Sequence, residues 1–183
     1  LRLTMLFHDM GKPVMKTTDE NGRDHFKGHA IASEQIAKTV MKRLKFDNDT
    51  IRKVTKLVAY HDYRMEPTGA NVRRAMHEIG VELFPYYLAV RLADTKAQSS
   101  YERRGKLENI IQIRELYRNA LRNKECVTLK DLAVTGTDLI NLGIAPGKEL
   151  GTLLNELLDM VIEDPAWNQK GKLCDYVKER FGF

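Results

Sequence analysis

The chain has 183 residues, of which 43% are apolar and 30% are charged, and its formal net charge is +5. This length suffices for one sizeable core, or for a main domain with a small appended piece. Its apolar runs are too short to span a bilayer and no signal peptide opens the chain, so we expect a cytoplasmic protein without a membrane partner. The positive charge is compatible with an anionic partner such as nucleic acid but does not require one.

Helical periodicity dominates the chain and no segment alternates convincingly as a strand would, so we predict an all-α fold. We predict six helices in this part of the chain. The first ends at Gly11 and Pro13, the second runs from about His29 to Lys45, and the third begins at a cap formed by Asp49 or Thr50. The fourth begins at a cap formed by Thr68, the fifth carries Leu83 to Asp94, and the sixth runs from about Tyr101 to Asn123.

The pattern changes near residue 125, where glycine-punctuated turns replace long helices. Two such turns precede an apolar helix that carries Leu150 to Val161, and Asn168 is the predicted cap of a last helix. We therefore predict a helical domain over residues 1–125 and a small helical subdomain over 126–183. Cys126 and Cys174 stand in no C-x-x-C pair, which favours two reduced thiols.

Four predicted helices carry a histidine or an aspartate at the end of an inward-facing apolar stripe: His8, His29, His61 and Asp94. Side chains on such stripes point into the core, where a carboxylate is costly unless it is paired or bound to metal. Imidazole and carboxylate together suit Mn, Fe, Co, Ni or Zn, and carboxylate-rich subsets tolerate Mg. The four residues therefore predict a site for a divalent metal.

Three neighbours of His8 extend this prediction. Asp9 points about 100° away from His8 on a helix, so one segment offers two ligands or straddles two metals. Gly11 is expected to leave room for a substrate, and Lys12 to bring a positive charge to the rim where a phosphate would sit.

Each of these residues also has a structural interpretation. A single inward histidine is more often a hydrogen-bonded core residue than a ligand. We also expect His25, which lies in the polar loop, and His77, which stands next to Glu78 in a short helix, not to be ligands. Asp94 could bond to backbone or to an arginine such as Arg91. The joint pattern, rather than any one residue, favours a metal site.

The segment from Leu6 to Pro13, with its His8-Asp9 pair, resembles the central motif of the HD superfamily, helical proteins that are mostly metal-dependent phosphohydrolases. The resemblance assigns the paired ligands to His8 and Asp9, the two added histidines of two-metal members to His29 and His61, and the last aspartate to Asp94.

A narrower resemblance rests on three further segments: Arg2 to Phe7, His25 to His29, and the tail from Gly136 to Gly147. Together they are similar to the C-terminal half of bacterial tRNA nucleotidyltransferases, the CCA-adding and poly(A)-polymerase-like group. In that family a first histidine lies upstream of the His-Asp pair, and the catalytic head with paired aspartates precedes it. Because the chain starts at Leu1 within an amphipathic pattern, we expect a fragment that lacks both and does not add nucleotides by itself.

Three functions follow from these observations. The first is metal-dependent hydrolysis with Asp9 and Lys12 as catalytic residues, for which the resemblance implies phosphomonoesters or 2′,3′-cyclic phosphates as substrates. The second is a non-catalytic tRNA-binding module, for which Arg114, Arg118 and Arg122 form a ridge at four-residue spacing. A solvated face with Glu115 and Glu125 nearby explains that ridge slightly better than a specific RNA contact does. The third is a stand-alone HD enzyme that acts on free nucleotides.

Overall fold

The computed structural model describes residues 1–182, and it is essentially all-α, which confirms the predicted fold class. Its elements in chain order are α1 (Arg2–Phe7), α2 (Lys12–Met15), β1 (Thr17–Thr18), β2 (Asp24–His25), α3 (His29–Arg43), α4 (Asn48–Tyr60), α5 (Gly69–Ile79), α6 (Phe84–Ala97), α7 (Arg103–Arg122), a 3₁₀ helix (Leu129–Asp131), α8 (Gly136–Asn141), α9 (Lys148–Glu163), a second 3₁₀ helix (Pro165–Trp167) and α10 (Lys170–Phe181). Within residues 1–182, no helix is both long and apolar enough to cross a membrane.

A small hairpin interrupts the helices between α2 and α3. Strands β1 and β2 are antiparallel, with Thr17 opposite His25. Asp19 closes the turn, because its carboxylate accepts hydrogen bonds from the backbone N–H groups of Asn21 and Arg23 at 2.9 Å each. The strands are exposed and only two residues long, so they carry no apolar alternation from which the hairpin could be predicted.

The described residues pack into two compact units. The first comprises residues 1–65 and 79–112, and the second comprises residues 66–78 and those from 113 onward. The predicted domain division at residue 125 stays a prediction.

The first unit is centred on α4, which packs against α1, α3 and α6. One cluster of its buried side chains comprises Phe7, Ala37, Met41, Ile51, Val54 and Val58. The N-cap of α4 is Asp47, whose carboxylate accepts a hydrogen bond from the N–H of Thr50 at 2.8 Å. The prediction that Asp49 or Thr50 caps this helix is therefore wrong, and Asp49 instead pairs with Arg52 and Lys53 on the helix surface.

Pro13 also acts differently from the prediction that it stops a helix. Helix α1 ends at Phe7, and Pro13 lies in the first turn of α2. A proline is favoured there because the first backbone N–H groups of a helix have no partner within the helix and the fixed φ of the ring is already helical.

The second unit has its own core, formed by the buried side chains Cys126, Leu132, Val134, Leu139, Ile144, Leu153, Leu157, Leu158, Val161, Ile162, Leu173 and Val177. Both cysteines are free thiols, and burial raises the pKa of Cys126 to about 11. Asn168 does not cap α10, because its side chain instead accepts from the N–H of Ala133 and donates to the carbonyl of Asp131.

Candidate metal centre

Three histidines of the first unit share one local arrangement. The Nδ1 atom of His8 lies 2.8 Å from the carbonyl oxygen of Met5, and that of His61 lies 2.7 Å from the carbonyl oxygen of Val58. Both histidines are the C-cap residues of their helices, where the last carbonyls lack intrahelical partners. Each imidazole therefore satisfies a carbonyl of the helix that carries it.

His29 reaches the same arrangement at the start of a helix. Its Nδ1 lies 2.9 Å from the carbonyl oxygen of Phe26, in the turn that leads from the hairpin into α3. A carbonyl oxygen only accepts hydrogen bonds, so in all three rings the Nδ1 atom carries the proton. The neutral imidazole then has a lone pair on Nε2, which is the form that binds metals.

The three Nε2 atoms face the carboxylate of Asp9. Its Oδ1 lies 3.5 Å from Nε2 of His29 and 3.6 Å from Nε2 of His61, and its Oδ2 lies 3.3 Å from Nε2 of His8. The ammonium group of Lys12 contacts the same Oδ2 at 2.6 Å. The side chain of Lys12 is 40% exposed, which places a positive charge at the rim of the cluster.

The spacing of these atoms fits a shared metal ion. Nε2 of His29 and Nε2 of His61 lie 3.1 Å apart, and each is 3.5 to 3.6 Å from Oδ1 of Asp9. Two ligand atoms held at about 2.1 Å from one ion lie roughly 3.0 Å apart at a right angle and roughly 3.4 Å apart at a tetrahedral angle. Asp9, His29 and His61 could therefore hold a metal ion.

Burial affects the protonation of this group. His61 is almost fully buried, and desolvation lowers its pKa, which favours the neutral imidazole that a metal requires. His8 is held differently, because its interaction with the Asp94 carboxylate raises its pKa while burial acts against that rise. The same interaction lowers the pKa of Asp94.

Asp94 lies at the edge of the cluster. Its Oδ1 is 3.6 Å from Nε2 of His8, and its Oδ2 accepts a hydrogen bond from the side-chain amide of Gln98 at 2.7 Å. The alternative in which Asp94 bonds to Arg91 is not what the structure shows, because Arg91 donates to the hydroxyl of Tyr87. Gln98 was missed by the sequence analysis, although it stands one helical turn after Asp94.

Gly11 has a different role from the one predicted. A Cβ atom at this position would lie 2.5 Å from the carbonyl oxygen of His29 and 2.7 Å from the backbone nitrogen of Ser33. The N–H of Gly11 also donates to the hydroxyl of Ser33 at 2.8 Å. The absent side chain therefore lets the first turn of α3 approach, and the space is filled by protein rather than left for a substrate.

His25 and His77 each have a hydrogen-bond partner of their own. His25 is exposed on the hairpin and pairs with Asp19 at 2.7 Å. In the second unit, His77 bonds through Nδ1 to the carbonyl of Val127 at 2.9 Å. Among the described residues, neither of them falls in the group of side chains that could hold a metal ion.

The arginine ridge of α7 is exposed and partly neutralised. Arg118 pairs with Glu115 at 2.7 Å, and Arg122 donates to the side-chain oxygen of Asn119. Glu125 is not part of this surface, because it pairs with Arg73. The ridge therefore presents positive charge at the surface, although the guanidinium groups of Arg118 and Arg122 already have partners on the same helix.

The fold and the site thus define a helical protein with a candidate metal centre, in which imidazole and carboxylate groups lie close together.

Comparison with known proteins assigns this helical protein to a family. A family model for tRNA nucleotidyltransferase domain 2 matches residues 29–177. The chain therefore belongs to the tRNA nucleotidyltransferase domain 2 family. The matched residues include His29, His61 and Asp94. His8, Asp9 and Lys12 lie before the first matched residue.

One relative extends the comparison. A CC-adding tRNA nucleotidyltransferase from Thermus thermophilus is 30% identical over 168 residues, which cover 88% of this chain and 36% of that protein. The chain thus spans about a third of the length of this relative. No solved structure matches the chain.

Proposed function

We propose that the chain carries an HD-type, metal-dependent phosphohydrolase site formed by His8, Asp9, His29, His61 and Asp94. The observation that carries this proposal is the convergence of three Nε2 atoms on Asp9, each in a ring whose Nδ1 is held by a backbone carbonyl. Such partners on the far nitrogen fix the tautomer and orientation of metal-binding histidines.

The proposed ligands fall into two groups by their position around the Asp9 carboxylate. His29, His61 and Asp9 hold one divalent cation, and His8 and Asp94 extend the site on the other side of the Asp9 carboxylate. Imidazole and carboxylate donors suit Mn, Fe, Co, Ni or Zn, with Mg a weaker fit. When bound, the cation lowers the pKa of a water molecule and neutralises phosphate charge.

Two residues act on the substrate side. Lys12 would offer its ammonium group to the phosphate, where its positive charge would help to neutralise the negative charge of the phosphate oxygens. Asp9 keeps one oxygen toward Lys12 and the other toward His29 and His61, so it couples the phosphate position to the ligand set.

The substrate class follows from the family and the charge of the chain. The Thermus thermophilus relative is a CC-adding tRNA nucleotidyltransferase, and the net charge of this chain is +5. We therefore propose 2′,3′-cyclic phosphates or phosphomonoesters, such as those at RNA ends, as substrates.

The test is hydrolysis of 2′,3′-cyclic AMP and p-nitrophenyl phosphate by the purified chain with Mn²⁺, Co²⁺, Ni²⁺ or Mg²⁺. The key variant is Asp9→Asn, and the control is Asp62→Asn, whose exposed carboxylate pairs with Arg64 instead. We expect metal-dependent hydrolysis that the Asp9 variant loses and the control retains. Absence of hydrolysis with every metal, or full activity of Asp9→Asn, would refute the proposal.

A second candidate function is tRNA binding by residues 126–183 together with the ridge of α7. It is favoured by the family relationship and by the exposure of Arg114, Arg118 and Arg122 along one helix. Phosphate contacts release counterions, so their number sets the salt dependence of binding. Partial neutralisation by Glu115 argues for a modest contribution from Arg118.

Gel-shift titrations of tRNA at several salt concentrations test this candidate. We expect affinity to fall steeply with salt, and Arg114→Ala to reduce the slope of log affinity against log salt by about 1. The control is Arg104→Ala, an exposed arginine on the same helix that pairs with Glu108. No tRNA shift, or a flat salt response, would exclude the function.

A further inference from the structure

The side chain of Gln98 stands where α6 ends, one turn beyond Asp94. Its amide nitrogen donates to Oδ2 of Asp94 at 2.7 Å, and its amide oxygen accepts from the ammonium group of Lys106 at 3.1 Å. The guanidinium of Arg103 donates to its backbone carbonyl. Gln98 is therefore held from three sides, and it is only partly exposed.

These contacts fix the orientation of the Asp94 carboxylate. With Oδ2 engaged by the amide of Gln98, Oδ1 is the oxygen that faces Nε2 of His8 at 3.6 Å. An aspartate side chain alone rotates with little preference about its last bond, so a donor on one oxygen decides which oxygen faces the site. The amide can serve as that donor only in the orientation that Lys106 selects, because an ammonium group only donates.

We propose that Gln98 is a positioning residue of the metal centre, which orients Asp94 and is itself oriented by Lys106. This inference rests on the proposed function and adds two residues to it that the ligand pattern does not contain. Hydrogen-bond partners of metal ligands commonly contribute about 10- to 100-fold in metal affinity. The residues that these contacts link, Lys106, Gln98, Asp94 and His8, all lie within the first unit.

The test measures Co²⁺ binding by the full chain, with affinity from calorimetry and ligand geometry from the visible absorption spectrum. Gln98→Met removes the amide at nearly constant length, and we expect affinity to fall about 10- to 100-fold with a changed spectrum. Lys106→Met, which removes only the outer partner, should give a smaller fall. The matched control is Gln35→Met, at an exposed position of α3, which should bind as the unaltered chain does.

Thermal unfolding without metal accompanies each titration, because a merely structural role would lower the melting temperature and leave the spectrum of the bound ion unchanged. Gln98→Asn, whose shorter amide cannot reach Asp94 at the same distance, replaces Gln98→Met if that variant does not fold. Unchanged affinity and spectrum in the Gln98 variant would overturn this inference alone. A chain that binds no Co²⁺ at all would overturn the proposed function and this inference with it.

Discussion

The Nε2 atoms of His29 and His61 lie 3.1 Å apart, in two rings whose Nδ1 protons are already donated to backbone carbonyls. Neither neutral ring then has a hydrogen on Nε2, so two lone pairs face each other. This arrangement is stable only with a positive charge between the atoms, either a proton or a metal ion. Burial lowers the pKa of His61, which disfavours the proton and supports the metal.

The contact at Gly11 leads to the first prediction. Gly11→Ala would place a Cβ against the backbone of His29 and Ser33, and relief requires the first turn of α3 to move. Overpacking of this kind costs about 1–3 kcal/mol. We expect thermal unfolding to show that loss and metal affinity to fall with it, because His29 lies on the displaced turn.

The matched control for Gly11 is Gly105→Ala on α7, where an added Cβ meets no atom within 4 Å. Alanine is favoured over glycine inside a helix by about 1 kcal/mol, so this variant should be neutral or more stable. If both alanine variants had the same stability and the same metal affinity, the close approach of α3 to Gly11 would not be a constraint.

Arg73 supports a stability prediction in the second unit. Its buried guanidinium donates to the carbonyls of Ile162 and Glu163, the last residues of α9, and to the carboxylate of Glu125. Arg73→Met would leave a partly buried carboxylate and two helix-end carbonyls without their donor. Removing one partner of a buried ion pair costs about 3–5 kcal/mol, which urea unfolding would measure.

The neighbouring arginine provides the comparison for that experiment. Arg74 is exposed and pairs with the side chain of Glu163 at 3.0 Å. Exposed ion pairs contribute about 0–1 kcal/mol, so the free energy of unfolding of Arg74→Met should stay close to that of the unaltered chain. Equal losses from Arg73→Met and Arg74→Met would contradict the special role of the buried guanidinium.

The carboxylate of Asp138 predicts a pH dependence. Its ion pair with Lys170, followed by its hydrogen bonds to Thr135, holds the pKa of Asp138 at about 2, below the ordinary value of 3.8. The folded state therefore keeps this carboxylate ionised where the unfolded chain takes up a proton. Its stabilisation is complete above about pH 4 and is lost as the pH falls from 3.8 toward 2.

Fluorescence of Trp167, the single tryptophan, reports unfolding of the second unit during urea titrations at each pH. We expect the urea concentration at the unfolding midpoint to fall less steeply toward acid pH in Asp138→Asn than in the unaltered chain. Added salt should weaken the stabilisation that the ion pair with Lys170 contributes. The exposed Asp175 on α10 serves as the control, and Asp175→Asn should show the same fall of the urea midpoint at acid pH as the unaltered chain. An unchanged fall in Asp138→Asn would show that the carboxylate of Asp138 does not cause the loss of stability at acid pH.

Sequence patterns predicted the all-α fold, which the structure confirms, whereas the assignment of the site residues stays a prediction. His8 and His61 follow apolar stripes whose period directs them inward, so the inward direction of each side chain was predictable from its own helix. The hairpin, the packing at Gly11 and the role of Gln98 were not predictable, since each depends on a contact between segments. Asp47 was missed as a cap because Asp49 and Thr50 offer the same chemistry two and three residues later.

The central claim is that His29, His61 and Asp9 hold one divalent cation, and metal binding tests it most directly. The purified chain is stripped of metal, titrated with Mn²⁺ or Co²⁺ by calorimetry, and compared with His61→Ala and with His25→Ala, the exposed histidine of the hairpin. We predict saturable binding that His61→Ala weakens by more than about 100-fold and His25→Ala leaves unchanged. Equal binding by the two variants, or none by the unaltered chain, would contradict the account.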